Sequence, residues 1–368
     1  MKNFKKCLLL AAMVAAAGMA GAQKETSAPE KFDMKGYKIY FGNPHSHCNY
    51  SGDILKFHPE TFDPNNTPDN HFRLAKENGY DFYVITDHSQ YTEQYTPEAW
   101  ADLAAKSKEW TCPTFVALRG YEHSENNGPD GYGHLNVFNS RTFLNALADG
   151  VSLQYFYNWL CEPQNRDAFA SFNHPGPNKK DFDNFNFLND AIRDKITMFE
   201  ISNWKPCYIC YMTALEKGWR VAPTASLDNH NLEKIAPWTA RTGVIADALT
   251  PQGVLDAMRS RRVYATFDKN LSVAYRVNGK WMGSALKKPG KLKFDIAVSD
   301  PDATDPGQAI KRIEIISSGD KVVASKDFAS HDARWQISLS PMEKYYFLKI
   351  YNGSSEMPVA YAAPVWVE

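Results

Sequence analysis

The chain is short of cysteine, of net charge and of long apolar runs, and each shortage excludes something. Six Cys in 368 residues are too few and too scattered for a disulfide framework. The 41 Lys+Arg nearly cancel the 42 Asp+Glu, which excludes the basic excess of a nucleic-acid-coating protein. Beyond the first two dozen residues no run of eighteen apolar residues occurs, which excludes a later membrane-spanning helix. No convincing Ser-His-Asp or activated-cysteine motif is visible, so no protein nucleophile is expected. What is present is an ordinary globular composition, 43% hydrophobic and 13% aromatic, too apolar for disorder. The length suits two domains, or one large domain and a small one. Composition names no function, so the placement of ten His among the acidic residues must.

Lys2, Lys5 and Lys6 precede an apolar run from Leu8 to about Ala17, and Ala20-Gly21-Ala22 supplies small residues before Gln23. This reads as a secretory signal peptide over residues 1–22, with an N-terminal membrane anchor as the alternative. Export to a periplasmic or extracellular compartment follows. Cleavage removes three Lys and no acid, leaving a net charge of −4. Five Cys then remain: Cys48, Cys112, Cys161, Cys207 and Cys210. Cys207-x-x-Cys210 has no second CxxC and no thioredoxin-like surroundings. It reads as free thiols or a local disulfide rather than half a zinc site.

After a linker at 23–36, residues 37–265 alternate strand-like and helix-like segments. Expected strands are Tyr37–Gly42, Phe82–Thr86, Phe115–Gly120, His134–Phe138, Phe169–Asn173, Thr197–Ser202, Val221–Ala225 and Thr242–Ile245. They are short, β-branched or aromatic, and often apolar on both faces. Helices are expected at Asp69–Asn78, Pro97–Glu109, Asp183–Asp194 and Pro251–Arg262. The alternation predicts an α/β fold with a parallel sheet, either doubly wound or a barrel. From 266 to 368 the pattern changes to alternating strands with turns such as Asn278-Gly279 and Asn352-Gly353. This tail reads as a β-sandwich domain covering the first. Trp281 and Trp335 leave glycan contact as a candidate role for it.

Chemistry gathers at the strand ends. Strand one runs into Pro44-His45-Ser46-His47, where two His spaced by two in extended chain face the same side and reach one metal. Strand two runs into Thr86-Asp87-His88, and strand three into Glu122-His123. His134 opens the fourth, Asn173-His174 closes the fifth, and Asp228-Asn229-His230 follows the seventh. In parallel barrels the carboxyl rim is where active sites are built. Six such groups in chain order predict a multinuclear metal site.

The ordered set His45-x-His47, Ser51-x-Asp53, Thr86-Asp87-His88, Glu122, His134, His174 and Asp228-x-His230 resembles the PHP (polymerase and histidinol phosphatase) superfamily over about residues 37–265. The tail and the Arg261–Thr266 join are similar to its secreted, carbaryl-hydrolase-like branch. The resemblance implies a distorted (β/α)7 TIM-like barrel with up to three divalent metals, Zn, Mn or Fe, at its carboxyl rim. It implies that His45, His47, Glu122 and Asp228 hold the first. Glu122 would bridge to a second held by His134 and His174, and Asp53, His88 and His230 would hold the third. Two departures stand out: Asn43 where the family usually has Asp, and Cys48 where Thr is common.

Three divalent ions against the carboxylates of Asp53, Glu122 and Asp228 leave a positive centre suited to a phosphate ester. On this reading metal-activated hydroxide attacks phosphorus, with Glu122, Asp228 and His174 as the catalytic members. The expected function is a secreted metal-dependent phosphoesterase acting on a small-molecule phosphoester. The alternatives are a metal-dependent carboxylester, amide or carbamate hydrolase, and an inactive PHP-like binding scaffold. Arg119, Glu200, Asn203 and Trp204 are candidate substrate residues near the rim. Lys179 and Lys180 read as a solvated pair, and His58, His71 and His123 as structural histidines, His123 pointing away from Glu122.

Overall fold

A computed structural model describes residues 32–124, 132–176, 181–201 and 205–368. The expected signal peptide lies outside the described residues.

Nine strands form the first part: β1 (Lys38–Asn43), β2 (Phe82–Ile85), β3 (Val116–Ser124), β4 (His134–Phe138), β5 (Phe169–Asn173), β6 (Ile196–Glu200), β7 (Ala222–Thr224), β8 (Arg241–Ala246) and β9 (Val263–Thr266). They lie in the order β9-β8-β1-β2-β3-β4-β5-β6-β7. The β1-β2-β3 and β5-β6-β7 runs are parallel. β4 is reversed between them, antiparallel to both neighbours; its connection from β3, between Ser124 and His134, is short enough for a reversal. The sheet curls until β7 meets β8. There the Thr242 hydroxyl accepts from Ala225 N (3.1 Å) and donates to Ala225 O (2.8 Å). β2 and β5 are buried along their whole length, as expected of strands covered on both faces.

The helices in chain order are α1 (Asp53–Phe57), α2 (Pro68–Glu77), α3 (Pro97–Trp110), α4 (Leu153–Cys161), α5 (Phe182–Phe185), α6 (Asp190–Arg193), α7 (Lys205–Glu216) and α8 (Pro251–Arg259). Three of them start with the same device, Thr-Pro. Thr67, Thr96 and Thr250 accept from Asn70 N, Ala99 N and Gly253 N, with Pro in the first turn. Each cap satisfies an otherwise orphaned amide, worth about 1 kcal/mol.

The helix expected over Asp183–Asp194 does not form as one element. Residues 182–185 make a left-handed turn, with φ of 56°, 49°, 51° and 63°, and a single right-handed turn follows at α6. Tertiary contacts hold the strained turn. Phe182 and Phe185 pack on Phe172 at 4.5 and 5.3 Å, and Trp219 Nε1 donates to Phe185 O (3.0 Å). Their burial offsets a left-handed penalty of about 1–2 kcal/mol per residue. The chain ends in two short strands on either side of Ala363-Pro364.

The C-terminal strands are β10 (Ser272–Val277), β11 (Lys280–Trp281), β12 (Ala285–Leu286), β13 (Leu292–Ser299), β14 (Ile310–Ser317), β15 (Lys321–Ser330), β16 (Asp332–Leu339), β17 (Tyr345–Asn352), β18 (Ala360–Ala362) and β19 (Val365–Val367). A four-stranded antiparallel sheet, β11-β10-β13-β16, packs on a second sheet containing β14, β15 and β17. Tyr275, Phe294 and Ile296 of the first share one core with Ile313, Ile315 and Leu348 of the second. That second sheet is continuous with the barrel wall, because β18 pairs with β9 on the edge opposite β8. The 318–320 turn also grips α7. Tyr208 OH donates to Asp320 Oδ1 (2.6 Å), while Tyr345 OH and Gly319 N donate to Glu216 Oε1 (2.6 and 2.7 Å). Trp335 is buried in the sandwich. Trp281 packs on Phe32 and Tyr37, so both tryptophans are engaged internally. Among the described residues no helix is long and apolar enough to cross a membrane.

Candidate metal centre

The chain after β1 is zipped to the chain after β7. His47 N donates to Asn229 O (2.9 Å) and Asp228 N to His45 O (3.0 Å). Asn43 closes the junction: its Nδ2 donates to His45 O (2.8 Å) and its Oδ1 accepts from Leu227 N (2.8 Å). An amide can do both, whereas an ionised carboxylate only accepts, which gives a physical reason for Asn at this position. Ser46 points away and donates to Val84 O (2.8 Å), so His45 and His47 do share a side.

Glu122 is the hub. β3 extends beyond its expected end at Gly120 to Ser124, because Glu122 and His123 pair with β4. Glu122 is 1% exposed. Its Oε1 lies 3.4 Å from His45 Nε2, 3.2 Å from His134 Nδ1 and 3.4 Å from His174 Nε2. Its Oε2 lies 3.4 Å from His47 Nε2 and 3.0 Å from His88 Nδ1. Asn173 Nδ2 donates to Oε1 (2.8 Å) and aims the carboxylate. Asp228 Oδ1 approaches His45 and His47 at 3.2 and 3.1 Å, and Asp53 Oδ2 approaches His230 Nε2 at 2.9 Å.

Four overlapping donor groups result: His47-His88-His230, His45-His174-Asp228, His45-His47-Glu122 and Glu122-His134-His174, each with ligand atoms within 4.8 Å of one another. All nine expected ligands are thus brought together. The set Glu122-His134-His174 appears as one group, and His88 and His230 are joined by His47, with Asp53 held at His230. His174 and Asp228 sit at φ of 29° and 45°. Strained backbone of this kind persists where the surroundings impose it, commonly at functional sites.

The electrostatics follow from burial among charges. Burial alone would depress the pKa of His45. The carboxylates of Asp228, Glu122 and Glu200 overcome it and raise the pKa well above its ordinary value. For His174 the same opposition, won by Glu122, Asp228 and Glu200, gives about 9. Burial and the neighbouring His230 and His88 push His47 down to about 3. Burial disfavours ionised Glu122, but His45, His134 and His88 hold its pKa well below the ordinary carboxylate range.

The donor set fits divalent metal ions. Glu122 Oε2, His134 Nδ1, His230 Nε2 and Asp53 Oδ1 are buried without a hydrogen-bond partner, although charged groups crowd them. Nε2 of His45 and Nε2 of His47 face each other at 3.0 Å. Converging lone pairs of this kind are what a cation coordinates, and mixed imidazole and carboxylate ligation suits Zn, Mn or Fe.

The other candidates fall elsewhere. Arg119 lies over the Trp100 ring (3.5 Å) and donates to Trp100 O (2.9 Å). It lines a cleft between α3 and α8, away from the donor groups. Glu200 is buried behind His45, with Oε2 2.9 Å from His45 Nδ1, and adds a negative charge that the ligand count omits. Asn203, Trp204, Lys179 and Lys180 lie outside the described residues. Cys48 faces Asp87, with Sγ 2.9 Å from Oδ2. His123 stacks on Phe156 at 4.2 Å, on the far face of β3. His71 is buried against Asn66, and His58 is exposed. Cys207 and Cys210 lie buried on α7 and are not joined in a disulfide. Sequence reasoning missed the roles of Asn173, Glu200 and Ser124. The available signal was a polar residue ending an apolar strand, as in Phe199-Glu200.

No family model matches the sequence, and no curated protein matches it. Among solved structures it is similar to a two-domain protein from Bacteroides vulgatus containing a predicted PHP-like metal-dependent phosphoesterase. The TM-score is 0.47 at 13% identity, over 94% of this chain and 100% of that one.

Proposed function

We propose that the protein is an exported, PHP-like metal-dependent phosphoesterase acting on a small-molecule phosphate ester. The observation that carries the reading is the convergence of five imidazoles on the buried carboxylate of Glu122. Bound divalent ions supply Lewis acidity, acidify water and neutralise charge on the phosphoryl oxygens. The residues divide the work by depth. His45, His47 and Glu122 are fully buried and anchor the centre. The side chains of His134, His174 and Asp228 are 29%, 29% and 34% exposed, so substrate approaches over them. The fixed backbone at His174 and Asp228 holds that face in place before substrate arrives. Export rests on the leader-like residues 1–22.

The test is metal-reconstituted protein assayed in parallel on phosphomonoester, phosphodiester and carboxylester model substrates, with Glu122→Gln and His174→Ala as controls. Wild-type phosphoester turnover no higher than in those variants refutes the reading. Faster carboxylester turnover moves it to a carbonyl hydrolase, and metal content below one equivalent moves it to a binding scaffold.

A further inference from the structure

Two of the imidazoles in the centre, His45 and His47, are backed through Nδ1, and the backing groups differ. His88 Nδ1 lies between Ser124 Oγ (2.8 Å) and the hub oxygen Glu122 Oε2 (3.0 Å), while His47 Nδ1 meets Ser51 Oγ at 2.9 Å. His45 Nδ1 instead meets a carboxylate, Glu200 Oε2, at 2.9 Å. The Glu200 side chain is 2% exposed, and that of His45 is 0%. A hydroxyl can donate or accept, so it leaves the tautomer of its imidazole open. A carboxylate only accepts, so His45 must donate from Nδ1. With a cation held among Asp228, Glu122 and His47 Nε2, which stand 3.2, 3.4 and 3.0 Å from it, the other nitrogen, Nε2, would be the one to present its lone pair. A buried charge against the ring also makes it a more basic donor.

We propose that Glu200 is a positioning residue that fixes His45 as an Nε2 donor and makes its metal position the tightest in the centre. Glu200 touches neither metal nor substrate on this reading. The inference rests on the metal-centre reading above.

The experiment is stepwise metal binding to the full chain in competition with a chromophoric chelator, using Zn(II) and then Mn(II). Wild type is compared with Glu200→Gln, Glu200→Ala and Ser51→Ala, and far-UV circular dichroism checks each fold. Glu200→Gln is expected to weaken the tightest step by roughly 10–100-fold and leave the weaker steps unchanged. Glu200→Ala should weaken the same step at least as much, and Ser51→Ala, which removes a hydroxyl that fixes no tautomer, should weaken it less. Gln preserves the volume of Glu, so wild-type constants in Glu200→Gln reduce Glu200 to a filler and overturn the proposal. Equal weakening of every step, or a misfolded Glu200→Gln, also overturns it. Wild-type protein that binds less than one equivalent refutes the metal-centre reading instead, which separates the two failures.

Discussion

Acid should loosen this protein through His71, well before the bulk of its carboxylates titrate. His71 sits on α2, fully buried. Its Nε2 donates to Asn66 Oδ1 (2.7 Å), and Asn66 Nδ2 donates onward to His47 O (3.3 Å) and His230 O (3.1 Å). A second proton, on Nδ1, would find only the Tyr83 oxygen at 3.4 Å, whose own hydrogen goes to Asn229 Oδ1 (2.9 Å). Burial, with His230 nearby, accordingly pushes the His71 pKa from 6.5 to about 3. The folded state therefore excludes a proton that the unfolded chain accepts. The associated stability is complete above pH 6.5 and drains away as pH falls from there toward 3, at about 1.4 kcal/mol per pH unit. At pH 5 the loss is about 2 kcal/mol. His71→Gln keeps an amide donor for Asn66 and does not titrate. In urea unfolding with chelator present, wild type should lose about 2 kcal/mol more than His71→Gln between pH 7.5 and pH 5. Equal losses in the two proteins would refute the reasoning.

Asn43→Asp should cost about 1–3 kcal/mol, because the donor to His45 O is lost and a carboxylate is buried in its place; thermal unfolding measures it, and an unchanged midpoint would count against the Asn43 junction. Removing metal should lower thermal stability, by about 2.7 kcal/mol relative to protein saturated at a hundredfold over Kd; a melting temperature indifferent to chelator and to metal added back would contradict the donor-set reading. Because its carboxylate neighbours raise His174 to about 9, a proton competes with metal there below that pH. Metal uptake at pH 7 should therefore acidify a weakly buffered solution, and affinity should climb between pH 7 and 9; uptake without proton release would be inconsistent with that competition.

The contact between the sandwich and α7 bears on the same centre. α7 follows β6, whose last residue is Glu200. The Asp320 and Glu216 hydrogen bonds tie that helix to the C-terminal sheets, so the second part of the chain braces an element that leads directly from the site.

The sequence by itself determined the parts whose signal is local. His45 and His47 were legible because extended chain has period two. The helices starting at Pro97 and Pro251 and most strands were legible because apolar spacing acts within a few residues. The nine candidate donors could be read as a set because most of them lie at or near strand ends and their chain order resembles a known family. What only the tertiary structure decided depends on residues far apart in the chain. The 182–185 turn abandons its helical pattern because Phe172 and Trp219 reward the left-handed form with burial. β4 reverses and β3 lengthens because their pairing places Glu122 inside a ladder. Arg119 leaves the site for Trp100, and Glu200 retreats behind His45. A charged residue at a strand end looks the same in sequence whether it meets substrate, metal or another side chain. The partner 155 residues away settles which for His45 and Glu200.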